Sequence, residues 1–431
     1  MIIKFSVQNF GSLKEKQTLS FEANKSIHLE DHYVIKTKNN IRLLKLGLIY
    51  GANASGKTSI LKAIDFLRDL VLEPEEKKNT TLRYNPFLFD EESPKLSSSF
   101  SIEFIQNDIK YLYSVEFNKK AILKEELYNF KPTKATIFKR FTNTETQYSE
   151  IKFGSTFSID KSFKKTLESN TLWNNTVLGG YLKTNIEINE LKEVTSWFED
   201  YLSPIVLSDT QLESYVTAKI NSSSLKKENI INILKKADFN ISNINISEER
   251  NEIDSKMLKI FEVLDLPNDR IEEIKERPLM KLEFEHMIGK STYSLPFEQE
   301  SQGTQRYYGF AGLLAMLIKD SIAISVDELE SSLHPELFTH FLLSFLINSK
   351  SSQLIASTHN REILNNRDLF RDDVIWFTNK NEKCATELYS LADFDTSVIR
   401  DTSNVFNAYK IGKLGGVPNL SDYYIDLNNE K

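Results

Sequence analysis

Residues Gly51-Ala52-Asn53-Ala54-Ser55-Gly56-Lys57-Thr58 carry the spacing Gly-x-x-x-x-Gly-Lys-Thr. Glycines allow a tight turn that brings backbone N–H groups onto phosphate oxygens, and a helix N-terminus behind the turn adds positive potential. A lysine at this place reaches the β- and γ-phosphates, and a threonine hydroxyl binds Mg²⁺. The candidate nucleotide-binding residues are therefore Asn53, Ala54, Ser55, Gly56, Lys57, Thr58 and Ser59, with Thr58 also a metal ligand. Asp327 and Glu328 follow the apolar run Ile322–Val326. An aspartate there would hold Mg²⁺ through water, and the adjacent glutamate would orient and deprotonate an attacking water. His359 follows the run Gln353–Ser357, where a γ-phosphate sensor would lie. Ser301 and Gly303 open a helical pattern. A serine hydroxyl, a glycine backbone and a helix dipole together make an anion site, although an ordinary N-cap accounts for Ser301 alone equally well.

These residues need elements that hold them. Leu46 to Tyr50 reads as a buried strand, and Ile60, Leu61, Ile64, Leu67 and Leu70 recur at helical spacing, giving the strand–loop–helix context that the motif requires. Two more helical stripes follow the later motifs: Phe310, Leu313, Leu314 and Leu317, then Leu337, Phe341, Leu342 and Phe345. Val374–Phe377 reads as a further strand, as do segments around Leu282–Phe284 and Tyr293–Leu295. At the start of the chain, Phe5, Val7 and Phe10, then Leu19 and Phe21, suggest short strands. The polar stretch Asn24 to Asn40 reads as a linker. Period-two alternation over Phe100–Phe104 and Ile109–Phe117, split by Gln106-Asn107-Asp108, predicts an antiparallel hairpin, with another pair around Leu127 to Phe141. Residues 155 to 281 read as mostly helical: a stripe from Ile188 to Leu202, a helix near Ile230 to Ala237, another near Ser255 to Leu264, and a joint at Ser222-Ser223-Ser224. The expected organisation is residues 1–154 and 282–431 as two parts of one α/β domain, with 155–281 as a helical lobe inserted between them.

Composition sets limits. With 431 residues, the chain can bury two or three cores. No apolar run is long enough to span a membrane. One cysteine, Cys384, excludes a disulfide framework and a cysteine zinc site, and suits a reducing cytoplasm. The net charge of −7 does not point to nucleic acid, so DNA binding would need a local patch. Lys119, Lys120, Lys124, Lys131, Lys134, Lys139 and Arg140, interleaved with Tyr128, Phe130 and Phe138, form one such stretch; a solvated hairpin with an apolar inner face is the preferred reading.

The order of these motifs resembles the heads of ABC-type ATPases of the RecF, SMC and OLD-like branch, and within it the RloA-type AAA-like ATPases of restriction and antiphage loci, the PARIS sensor ATPase among them. The resemblance rests on Asn9-Phe10-Gly11-Ser12, Gly51 to Thr58, Glu300 to Thr304, Asp327 to Pro335, Ser357 to Asn360 and the tail Tyr409 to Pro418. It implies an α/β ABC-ATPase head with a mixed and parallel sheet, an antiparallel β-hairpin subdomain and an inserted helical lobe. It also implies ATP and Mg²⁺ as ligands and a homodimer in which two heads sandwich ATP. Ser301 and Gly303 of one copy would cap the γ-phosphate held by Lys57 and Thr58 of the other, and the assembly could extend to a higher oligomer. Residues Ser331 to His334 would form the D-loop, with His334-Pro335 where SMC heads carry an aspartate. Gln106 is a weak candidate for the Mg²⁺-sensing glutamine. Two roles follow. One is a nucleotide-driven sensor in antiphage defence that controls a separate effector, such as a nuclease; the other is a RecF-like repair ATPase that clamps DNA.

Overall fold

The computed structural model describes residues 1–155, 157, 159–249, 279–394 and 404–418. The helix expected near Ser255 to Leu264 lies outside them. The strands are β1 (Ile2–Gln8), β2 (Gln17–Ser20), β3 (Val34–Lys36), β4 (Arg42–Leu44), β5 (Leu46–Gly51), β6 (Ser98–Gln106), β7 (Ile109–Phe117), β8 (Ile122–Phe130), β9 (Lys134–Asn143), β10 (Tyr148–Phe153), β11 (Asn243–Glu249), β12 (Leu279–Ile288), β13 (Ser291–Pro296), β14 (Ala323–Val326), β15 (Gln353–Ser357), β16 (Ile375–Lys380) and β17 (Thr386–Ser390). The fold is mixed α/β, with parallel and antiparallel sheets. The described chain divides into two units: Met1–Ser208 with Asp320–Glu330 and Leu346 onward, and Asp209–Lys319 with Ser331–Phe345.

In the first unit, β5 is the centre of a five-stranded sheet of order β14-β15-β5-β16-β17. β14, β15, β5 and β16 run parallel, and β17 returns antiparallel. Every residue of β5 is buried, which is why its sequence is continuously apolar rather than alternating. A second, antiparallel sheet has the order β10-β9-β8-β7-β6-β1-β2, so the N-terminal strands extend the hairpins into one seven-stranded sheet. The β6–β7 turn places Asn107 and Asp108 at positive φ, the geometry favoured by two-residue hairpin loops.

The helix Lys57–Leu72 packs against β5, β14 and β15 and also against β1 of the other sheet. Its buried set, Ile60, Leu61, Ala63, Ile64, Leu67, Leu70 and Val71, is correspondingly broad. Phe66 of this helix meets Phe10, Tyr84, Phe100 and Phe117 in an aromatic cluster. Buried Gln353 of β15 links the sheets by accepting from the Ile2 N–H at 2.6 Å and donating to the Ile2 and Leu44 carbonyls at 3.0 Å. The Ile188–Leu202 stripe forms the helix Asn189–Ser196 and a wider turn over Trp197–Tyr201, with Trp197 stacked on Phe104 at 4.0 Å.

The segment Asn24–Asn40 is not a linker. It contains β3 and a buried Tyr33, and Arg371 pins it by donating to the Ser26 carbonyl at 3.0 Å, to Asn24 Oδ1 at 3.0 Å and to the His28 carbonyl. Its polar side chains face outward while its backbone is held by a cation from more than 340 residues away, a partner that local composition does not reveal. The lysine-rich stretch meets the preferred reading. Lys124 and Lys139 lie near Glu126, Lys134 and Lys139 sit over the ring of Tyr128, and Arg140 and Phe138 are buried.

In the second unit, the helix Gln302–Lys319 packs on the helices Leu212–Asn221 and Lys227–Lys236, and β11-β12-β13 form an antiparallel sheet. Phe284 and Phe297 pack on Tyr308 of the long helix. Among the described residues, no helix is long and apolar enough to cross a membrane.

Candidate functional site

Four strand ends of the first unit assemble one site, because parallel strands deliver their carboxyl ends to a common edge. β5 leads into the phosphate loop, β14 into Asp327 and Glu328, β15 into Thr358 and His359, and β16 into Asn379 and Lys380. In the loop, Ala54 and Gly56 have φ of 60° and 108°. Alternating left- and right-handed residues turn successive N–H groups inward as an anion nest. The N–H groups of Asn53, Ala54, Gly56, Lys57 and Thr58 have no acceptor among the described residues. Free donors at a helix N-terminus are the donor set that a polyphosphate requires.

Lys57 is 6% exposed. Its Nζ donates to the carbonyls of Gly51 at 3.0 Å and Ala52 at 3.2 Å, and lies 3.0 Å from His359 Nε2. Burial lowers the Lys57 pKa, while Asp327, Glu328 and Glu330 pull it upward. The His359 pKa is also lowered, by burial first and then by Lys57. A neutral imidazole accepting at Nε2 from the ammonium satisfies both groups. The Thr58 hydroxyl donates to Asp327 Oδ2 at 2.9 Å. A hydroxyl and a carboxylate side by side suit Mg²⁺, which takes few protein oxygens and keeps several waters.

Glu328 follows at a φ of 50°. A non-glycine residue in this conformation is strained and is retained where its placement matters. Its N–H donates to Ser357 Oγ at 2.8 Å, and the Ser357 hydroxyl donates to Asp327 Oδ1. One buried serine thus positions both carboxylate-bearing residues. Glu330 receives the backbone N–H of His359. Spacing alone assigns neither Ser357 nor Glu330 these roles, although both stand inside the quoted motifs.

Ser55 and Ser59, expected at the phosphates, have their hydroxyls and N–H groups engaged within the protein. Ser55 Oγ lies 2.6 Å from Thr378 Oγ1 and its N–H reaches the Ala52 carbonyl at 3.2 Å. Ser59 Oγ accepts from Ser12 at 3.0 Å and its N–H reaches the Gly56 carbonyl at 3.0 Å. Thr386 completes the brace, donating to the Ser55 carbonyl at 2.8 Å. Thr378 and Thr386 belong to no motif and carry no signal in the sequence.

A cavity of about 540 Å³ opens beside the loop, lined by Gly51 to Ser55, His359, Arg361, Lys380, Tyr409 and Gly416 to Pro418. Gly416 has a φ of 66°, and a Cβ there would stand 3.4 Å from the Gly51 Cα, so the tail packs directly on the root of the loop.

Ser301 and Gly303 belong to the second unit. Ser301 is exposed and caps the helix Gln302–Lys319, its Oγ accepting from the Thr304 N–H at 3.1 Å. Gln106 ends β6 at the hairpin turn.

A family model described as "AAA domain, putative AbiEii toxin, Type IV TA system" matches residues 48–365. No curated protein matches the chain significantly. Among solved structures, an SMC head bound to the C-terminal winged-helix domain of ScpA is 13% identical, covering 90% of this chain and 97% of its own at a TM-score of 0.43. The SMC head domain from Thermotoga maritima is 12% identical, with 90% and 98% covered and a TM-score of 0.39. An SMC head with an extended coiled coil, bound to the C-terminal domain of ScpA and derived from Pyrococcus furiosus, is 14% identical, with 96% and 98% covered and a TM-score of 0.37.

Proposed function

The chain belongs to this AAA-domain ATPase family, and on that footing we propose that it binds and hydrolyses ATP and uses the cycle as a switch. The supporting observation is the convergence of Lys57, Thr58, Asp327, Glu328 and His359 on a loop with five unpartnered N–H groups. Thr58 and Asp327 would hold Mg²⁺, which neutralises charge on the phosphate oxygens. Lys57 exchanges its carbonyl partners for phosphate oxygens, and the loop N–H groups take the remaining charge. Glu328 accepts a proton from the water that attacks the terminal phosphorus. The bond to the bridging oxygen breaks, and ADP and phosphate leave. Ser357 keeps Asp327 and Glu328 in place throughout.

In the same reading, two chains sandwich ATP, the exposed Ser301 and the half-buried Gly303 of one copy capping the terminal phosphate held by the other. The output is control of a separate effector protein, a nuclease, in bacterial antiphage defence of the RloA or PARIS kind. The family description, which names a type IV toxin–antitoxin system, supports a role in such conflict.

The test is the mass of Glu328→Gln protein by light scattering, with and without ATP and Mg²⁺, beside its ATPase rate. Turnover should fall on the order of 10²- to 10⁴-fold with ATP still bound. Mass should rise with ATP, and Ser301→Arg should abolish the rise. A monomer under both conditions would remove the sandwich; unchanged turnover would remove Glu328 as the base.

A further inference from the structure

Arg361 stands two residues beyond His359 and lines the cavity beside the phosphate loop. It is half-buried. Among the described residues, no carboxylate lies within ion-pair distance of it and no hydrogen bond engages its guanidinium. Its guanidinium lies over the face of Tyr409, with Cζ 5.4 Å from the ring centroid. Tyr409 is itself fixed. Its ring packs on Tyr50 and Phe377, and its hydroxyl donates to the Gly416 carbonyl at 3.0 Å. A guanidinium presents five donors in a rigid fork suited to phosphate. Here that fork is held on the face of a tyrosine, in a cavity also lined by Asn53 and Ala54 of the loop.

We propose that Arg361 is a ligand of the terminal phosphate and the residue by which the site distinguishes ATP from ADP. The inference rests on the ATP reading above. Its geometric basis is the shared cavity: Asn53 and Ala54 of the loop, His359 and Arg361 line one space, and Lys57 Nζ lies 3.0 Å from His359 Nε2. A cation–π contact at a partly exposed site holds the side chain in place only weakly. A doubly charged phosphate oxygen cluster outcompetes it through charge-assisted hydrogen bonds. The cavity also contains Lys380, which lies 5.5 Å from the Phe89 centroid. Lys380 ends β16, in register with Thr386 of β17.

The experiment measures ATP and ADP affinities of the full chain with Mg²⁺ in the Glu328→Gln background, where ATP persists. Arg361→Ala should weaken ATP by about 10- to 100-fold and ADP by no more than about twofold. Arg361→Lys, which keeps the charge and loses the fork, should fall between. The melting temperature of each variant is read alongside, and Arg361→Lys carries the test should the alanine protein be unstable. Equal weakening of both nucleotides, or no change in either, would overturn the assignment. Failure of the parent protein to bind ATP at all would overturn the ATPase reading and this one with it, a result distinguishable because it appears before any arginine variant is made.

Discussion

Glu125 and Arg140 face each other in register across β8 and β9, both fully buried. Lys57 and Asp327 are almost as buried, at 6% and 7% exposure. The two places treat charge in opposite ways. Glu125 accepts from the Tyr113 hydroxyl at 2.9 Å and the Val177 N–H at 2.7 Å, and it stands 3.7 Å from Arg140. Arg140 donates to Ser149 at 2.7 Å and the Trp173 carbonyl at 3.1 Å. Burial raises the Glu125 pKa and lowers that of Arg140 to about 10, and each ion has the other as its counter-charge. At the phosphate loop the charges are kept apart. The ammonium rests on two carbonyls and an imidazole, and Asp327 rests on the hydroxyls of Thr58 and Ser357. Neutral partners can be exchanged for phosphate or metal, whereas an internal counter-ion would compete with both. The first arrangement serves the fold and the second serves a ligand.

The sharpest way to break this contrast is to remove one member of the sealed pair. Arg140→Ala should lower stability by about 3–5 kcal/mol, because it leaves a buried carboxylate without its counter-ion. Adding Glu125→Gln should recover part of that loss, measured by urea unfolding as a double-mutant cycle. If Arg140→Ala unfolds at the parental urea midpoint, the pair is not structural. Lys57→Ala should do the reverse. Stability stays within about 1 kcal/mol, while ATP affinity falls about 10- to 100-fold, as read by titration with a fluorescent nucleotide.

An intermediate case sharpens the comparison with the smallest effect. Asp69, half-buried on the helix Lys57–Leu72, has its carboxyl pushed up to about 6 by burial, then by Asp65 and Glu73. A folded-state value above the unfolded one means that the folded protein binds the proton more tightly. This contribution favours the fold at low pH and is lost as pH rises from about 4 to about 6. Asp69→Asn should therefore raise the melting temperature slightly near pH 7 and leave it unchanged near pH 4. A rise of equal size at both pH values would assign the effect to something other than this carboxyl.

Much of the site was legible because each principal residue follows an apolar strand, directly or across the phosphate loop. Lys57, Asp327, Glu328 and His359 announce themselves by motif, and parallel pairing brings strand ends together. The supporting residues were not legible. Ser357 and Thr378 act through cross-strand register, and Thr386 reaches Ser55 over 331 residues of separation. Arg140 reads as one more cation in a lysine-rich stretch until the register sets it opposite Glu125. The Asn24–Asn40 stretch reads as a polar linker because its anchor, Arg371, lies far along the chain.

β5 has consequences for how the protein is made. Its two neighbours, β15 and β16, are translated more than 300 residues after it, so on the ribosome the phosphate loop emerges on a strand whose two edges are bare. Exposed apolar edges recruit other strands, and distant pairings form slowly. The competent pocket exists only once β15 and β16 arrive, and the Gly416 segment that packs on Gly51 is later still. Nucleotide binding would therefore report that synthesis has passed the Gly416–Pro418 stretch, and would add stability to those molecules in which it has docked.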